Sequence, residues 1–133
     1  MNLFKPAETT STFLKMGFMG FAGSGKTYTA SSTAVGLIRH MRELNLPAAN
    51  KTLFFLDTEK GSDWVARKIK DAGVEFYTAK TRAFADLLAA VEKAKRNVSL
   101  LLIDSVTHFW VELCAAYATK QKRNRLYSKT GPT

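Results

Sequence analysis

One octapeptide constrains this chain more than any other feature: Gly20-Phe-Ala-Gly-Ser-Gly25-Lys26-Thr27, of the form G-x-x-x-x-G-K-[ST]. An apolar run, Leu14 to Phe21, leads into it. A stretch from Lys26 to Leu44 follows, with Ala30, Ala34, Leu37, Ile38 and Met41 at helical spacing. The octapeptide therefore reads as the turn from a buried strand into an amphipathic helix. Glycines let such a turn bring successive backbone N–H groups around one anion. The free N–H groups and positive dipole end of the helix act in the same direction. Lys26 would place a cation on the β and γ phosphates of a nucleotide, and Thr27 would offer a hydroxyl to Mg²⁺. The candidate nucleotide-binding residues are Gly20, Ala22, Gly23, Ser24, Gly25, Lys26, Thr27 and Tyr28. The bland alternative is a glycine-rich strand-to-helix turn carrying an exposed lysine, in which Tyr28 and Thr29 pack or cap.

Strand and helix alternate along the rest of the chain. Thr52 to Leu56 is a buried strand, and a helix is expected over Asp63 to Ala72, with Ser62 as N-cap and Gly73 beyond its end. Val74 to Thr78 reads as a short strand. Ala83 to Arg96 reads as a helix with Leu87, Leu88, Val91 and Ala94 on one stripe. Val98 to Ile103 is a continuous apolar strand, and a last helix covers Thr107 to Arg123. Continuous apolar strands alternating with helices predict an α/β fold, a parallel sheet covered on both faces.

Two strands end in acids. Ser99-Leu-Leu-Leu-Ile103-Asp104-Ser105 places Asp104 at a strand's C-terminal end, seventy-eight positions after Lys26. Such an acid lies at the crevice where a phosphate-bound Mg²⁺ would be held, so Thr27 and Asp104 are the metal candidates. Phe54-Phe55-Leu56-Asp57-Thr58-Glu59 ends on the same rim. Hydrolysis needs a group to orient water, and Glu59 is the candidate, with Lys26 as the second catalytic residue. The competing reading is that Asp57 or Glu59 caps the turn before Ser62.

The order of these segments resembles the RecA-like branch of P-loop ATPases. The opening Met-Asn-Leu-Phe-Lys, the Ala-Gly-Ser-Gly-Lys-Thr-Tyr-Thr-Ala run and Asp104-Ser-Val-Thr-His-Phe-Trp110 look most like the phage-type AAA ATPases of that branch. The resemblance covers most of residues 1–127. It implies a three-layer P-loop NTPase fold, ATP and Mg²⁺ as cofactors, and hydrolysis. It matches Lys26 and Thr27 to the Walker A residues, Asp104 to the Walker B acid and Glu59 to the catalytic glutamate. It also implies work in DNA recombination or other phage DNA metabolism. Relatives supply further core strands, a sensor residue, DNA-contacting loops and residues acting across a subunit interface. Only 29 residues follow Asp104 here. A core incomplete on its C-terminal side, with four strands at most, is therefore expected. The domain reading is an N-terminal extension over 1–12, a partial core over 13–119 and a basic segment over 120–133.

An incomplete core keeps a second function in play, a nucleotide-binding module without turnover. A P-loop kinase would need an Arg-rich lid and an acceptor pocket; the basic tail is a poor substitute, and the Asp57-Thr58-Glu59 placement fits an ATPase better. A GTPase is disfavoured because Asn50-Lys51 is followed by Thr52 and Leu53, not by the x-Asp that reads guanine.

Charge bears on partners. The net charge is +9, from 20 Lys+Arg against 11 Asp+Glu, and residues 120–129 hold Lys120, Lys122, Arg123, Arg125 and Lys129 without an acid. That segment could attract single-stranded DNA through its phosphates. Equally, it could be the solvated end of a helix whose dipole favours cations. Association into a homo-oligomer stays open. One cysteine, Cys114, excludes an intramolecular disulfide framework, and it is expected to be a buried small hydrophobe. Two histidines, His40 and His108, are too few and too separated for a metal cluster. His108 would be a surface residue or a sensor, and Trp64 and Trp110 are read as packing or partly exposed residues. No apolar run reaches the roughly 18 residues of a membrane span, and no signal peptide opens the chain, so a cytoplasmic location is expected.

Overall fold

The computed structural model describes Pro6, residues 13–50 and residues 52–129, of which 124–129 are described as helix backbone. The proposed 1–12 extension, apart from Pro6, and residues 130–133 of the basic segment lie outside the described residues. The helix α1 spans Lys26–Glu43 and leads through a 3-10 turn, Pro47–Asn50, to β1, Thr52–Asp57. Then follow α2 (Gly61–Asp71), β2 (Phe76–Lys80), α3 (Phe84–Asn97), β3 (Val98–Asp104) and α4 (Val106–Lys129). The three strands form one parallel sheet in the order β2-β1-β3.

The sheet is built from alternation on its central strand. Leu53 and Phe55 of β1 are almost fully buried and meet Ala34, Val35 and Ile38 of α1, Val65 and Ile69 of α2, and Leu102 of β3. These positions form one continuous core between the sheet and the α1–α2 layer, the main favourable term for the fold. The opposite face meets α3. Phe84, Leu87, Ala90, Val91 and Ala94 are half-buried there, but Leu88 is mostly exposed and no α3 residue is fully buried. A cleft lined by Phe54, Tyr77 and Lys93 remains between α3 and the sheet.

The α/β class and the parallel sheet are as the sequence predicts, and three predictions need correction. First, the Leu14 to Phe21 run is not a strand: it pairs with no described neighbour. It lies across a cleft of about 420 Å³ from the edge of β3. A strand is held by a ladder as well as by apolarity, and Gly17 and Gly20 weaken the run as a strand. Phe13, Leu14, Met16, Met19 and Phe21 all remain exposed. The sheet accordingly has three strands among the described residues, against the four counted from sequence. Second, Cys114 is exposed, because α4 buries only Phe109 among its described side chains and nothing described covers its next turns. Third, α2 begins at Gly61, and Ser62 lies inside its first turn, where it is held by Asp57 and does no capping itself. Smaller shifts are β2, which starts at Phe76 instead of Val74, and α4, which continues to Lys129. Gly73 does end α2, with φ of 70° and its N–H donated to the Lys70 carbonyl at 2.8 Å.

Candidate functional site

The C-terminal edge of the sheet collects the residues that the sequence singles out. Asp57 and Asp104 end β1 and β3, and the register places them side by side. The loop from Gly20 to Gly25 approaches the same edge and feeds α1. Its two left-handed positions are Gly23, φ 77°, and Gly25, φ 83°. Side chains rarely adopt that conformation, so the glycines let the loop close onto the helix start. Gly25 occupies the N-cap position of α1, and no side chain caps this end. Lys26 folds back and donates its Nζ to the Phe21 carbonyl at 2.8 Å, across the loop. Tyr28 stands exposed on the first turn of α1, with the Lys68 ammonium 3.6 Å over its ring. Ala22 and Ser24 lie exposed in the loop.

Thr27 and Asp104 meet. The Thr27 hydroxyl donates to Asp104 Oδ2 at 2.5 Å, across seventy-seven positions of sequence. Gly61 closes over this pair: a Cβ there would lie 2.9 Å from Asp104 Oδ2 and 3.0 Å from Thr27 Cγ2. A side chain at position 61 would therefore force Asp104, Thr27 or the loop itself to shift. A hydroxyl and a carboxylate converging on one point are hard oxygen donors, the kind that Mg²⁺ takes together with nucleotide phosphates. No cluster of three His, Cys, Asp or Glu side chains exists among the described residues, so a metal held by protein alone finds no cage.

Glu59 is positioned from two directions. Its backbone N–H donates to Asp57 Oδ1 at 2.9 Å. Its carboxylate Oε1 accepts from the Ser105 hydroxyl at 3.2 Å and from His108 Nε2 at 2.8 Å. Neither contact follows from motif spacing, and His108 is half-buried through it, not a bare surface residue. Thr58 is the other residue that sequence reasoning passed over. Its N–H donates to the Asp104 carbonyl at 2.7 Å, and its hydroxyl accepts from Ser105 N–H at 2.8 Å, pinning the ends of β1 and β3 together.

Asp57 itself is a structural anion. It is almost fully buried and accepts from the N–H groups of Glu59, Gly61 and Ser62 at 2.9–3.1 Å and from the Ser62 hydroxyl. The capping alternative thus holds for Asp57, and the Glu59 carboxylate takes no part in it. Burial pushes the Asp57 carboxyl up, but the Ser62 hydroxyl and the three N–H groups outweigh it and hold its pKa below the ordinary value. Its stabilising contribution is therefore complete above the unfolded pKa of about 3.9 and fades as pH falls through the lower folded value. Asp57→Ala should cost about 3 kcal/mol or more by urea denaturation at pH 7, because several donors lose a charged partner. The variant should also show a flatter loss of stability between pH 5 and pH 2.

Among the described residues no helix is long and apolar enough to cross a membrane. Neither the curated proteins nor the solved structures offer a match to this chain. The AAA domain family does match, over residues 12–131, from just before the apolar run to beyond the last described turn of α4. A match of that extent, on a parallel α/β sheet with the Gly-Lys-Thr loop at its C-terminal edge, means that the chain belongs to the AAA domain family, a family of nucleotide-binding, ATPase-type proteins.

Proposed function

We propose that this chain binds ATP with Mg²⁺ and hydrolyses it on a RecA-like core. The observation that carries the reading is the 2.5 Å contact of Thr27 with Asp104 on the rim that also presents Glu59. The backbone N–H groups of Gly20 to Thr27 would bind the phosphates, joined by Lys26 once its ammonium leaves the Phe21 carbonyl. The Thr27 hydroxyl and Asp104 carboxylate would hold Mg²⁺. When bound, that ion neutralises phosphate charge and polarises the γ-phosphoryl group. Glu59 orients the attacking water and takes its proton. The water oxygen bonds to the γ phosphorus, and the bond from that phosphorus to the β–γ bridging oxygen breaks, releasing ADP and phosphate. Tyr28, exposed beside the loop, is available to the nucleotide's flank.

We further propose that the chain works in DNA recombination or other DNA metabolism, a reading that rests on the resemblance and on exposed Lys120, Lys122 and Arg123 along α4. Single-stranded DNA is the partner that this charge suits.

Calorimetric titration of the 133-residue chain with Mg-ATP, followed by phosphate release, tests the reading. Saturable binding with release is the expected result. Binding without release would favour a nucleotide-binding module that does not turn over. A folded chain that binds nothing would overturn the proposal.

A further inference from the structure

Resting on the reading of Glu59 as the water-orienting group, we infer that His108 is its positioning residue, with Ser105 in support. Glu59 reaches its place from the loop after β1, and His108 and Ser105 from the junction of β3 with α4. Both donors converge on the same carboxylate oxygen, Oε1, at 2.8 and 3.2 Å. The other oxygen, Oε2, has no partner among the described residues and is the one left to accept a proton. A carboxylate in use as a base is acceptor-only, so His108 must carry its proton on Nε2. The ring is half-buried, with 31% of the side chain exposed, against 52% for Glu59. The more enclosed partner therefore steadies the more exposed one. Its backbone is fixed as well: Phe109, the next residue, is almost fully buried and anchors the first turns of α4. Without His108 the Glu59 side chain would keep one weaker donor and sample rotamers that turn Oε2 away from the phosphates. Orientation of this kind governs the chemical step more than ground-state binding.

The experiment is steady-state ATPase kinetics on His108→Ala, His108→Gln and His108→Asn, with Glu59→Gln alongside, together with ¹⁵N imidazole spectra of the full chain. The Gln amide nitrogen can stand where Nε2 stands, whereas that of Asn corresponds to Nδ1 and falls short. His108→Ala should lower kcat about tenfold with KM for ATP within about twofold. His108→Gln should recover most of that loss, and His108→Asn should not. The His108 ring of the wild-type chain should show the Nε2–H form, and Glu59→Ala should shift its resonances. His108→Ala with wild-type kcat, or folded His108→Gln as slow as His108→Ala, would overturn the inference while an inactive Glu59→Gln left the hydrolysis reading standing. Should Glu59→Gln turn over normally, the assignment of Glu59 as the water-orienting group fails and this inference with it, while hydrolysis itself stands. If the wild-type chain does not turn over at all, the imidazole spectra decide the contact: ring shifts unmoved by Glu59→Ala overturn it.

Discussion

Lys26→Ala should yield a folded chain that binds Mg-ATP roughly 10- to 100-fold more weakly and turns it over roughly 10²- to 10³-fold more slowly. Folding should survive because the ammonium's described partner is the carbonyl of Phe21, in an exposed loop. The core that holds α1 in place is built from Ala34, Val35 and Ile38, two turns or more further on. Binding should suffer because a charged hydrogen bond to phosphate is lost at a site whose remaining donors are neutral N–H groups. Turnover should suffer more, since charge on the transferred oxygens grows toward the transition state. Calorimetry beside phosphate release checks both numbers, with urea denaturation as the folding control. A variant that binds as tightly as the wild type would remove the loop from the phosphate site.

The parts legible in the sequence were those set by local chemistry. A glycine-rich turn into an amphipathic stretch fixes the start of α1, and continuous apolar runs ending in acid fix β1 and β3. The juxtaposition of Thr27 with Asp104 follows once both are placed on one edge of a parallel sheet. What the sequence concealed depends on partners distant along the chain. The run from Leu14 to Phe21 has the composition of a strand, but pairing is a property of two segments, and it lies across a cleft from β3. Cys114 sits among apolar neighbours in sequence, yet burial requires an element packed over its own turn of α4, and that turn is exposed. Ser62 has the chemistry of an N-cap. Asp57 instead takes the N–H groups of Gly61 and Ser62 with a full charge, and the helix starts earlier, at Gly61, with Ser62 inside its first turn. The donors on Glu59 were hidden for the same reason: Ser105 and His108 lie forty-six and forty-nine positions away from it.

Glu59→Gln should separate binding from chemistry. The amide is nearly the same size as the carboxylate, and its oxygen can still accept from Ser105 and His108, so the loop after β1 should keep its shape. Asp57, not Glu59, carries the hydrogen bonds that build that loop, so stability should change little. Mg-ATP affinity should stay within about threefold of wild type, because Thr27, Lys26 and Asp104 are untouched. An amide cannot take a proton from water, however, and turnover should fall roughly 10²- to 10⁴-fold, the usual worth of a general base. The contrast with Lys26→Ala is the informative part. One variant should lose affinity and rate together, the other rate alone, and single-turnover kinetics with calorimetry distinguish them. Asp57→Asn supplies the opposite control. It should weaken the fold and disturb Glu59 only indirectly, so its rate should recover under conditions that restore folding, while that of Glu59→Gln should not. A Glu59→Gln chain that hydrolyses ATP at the wild-type rate would move the water-orienting role off this residue, leaving the Thr27–Asp104 pair as the part of the rim still assigned to the nucleotide.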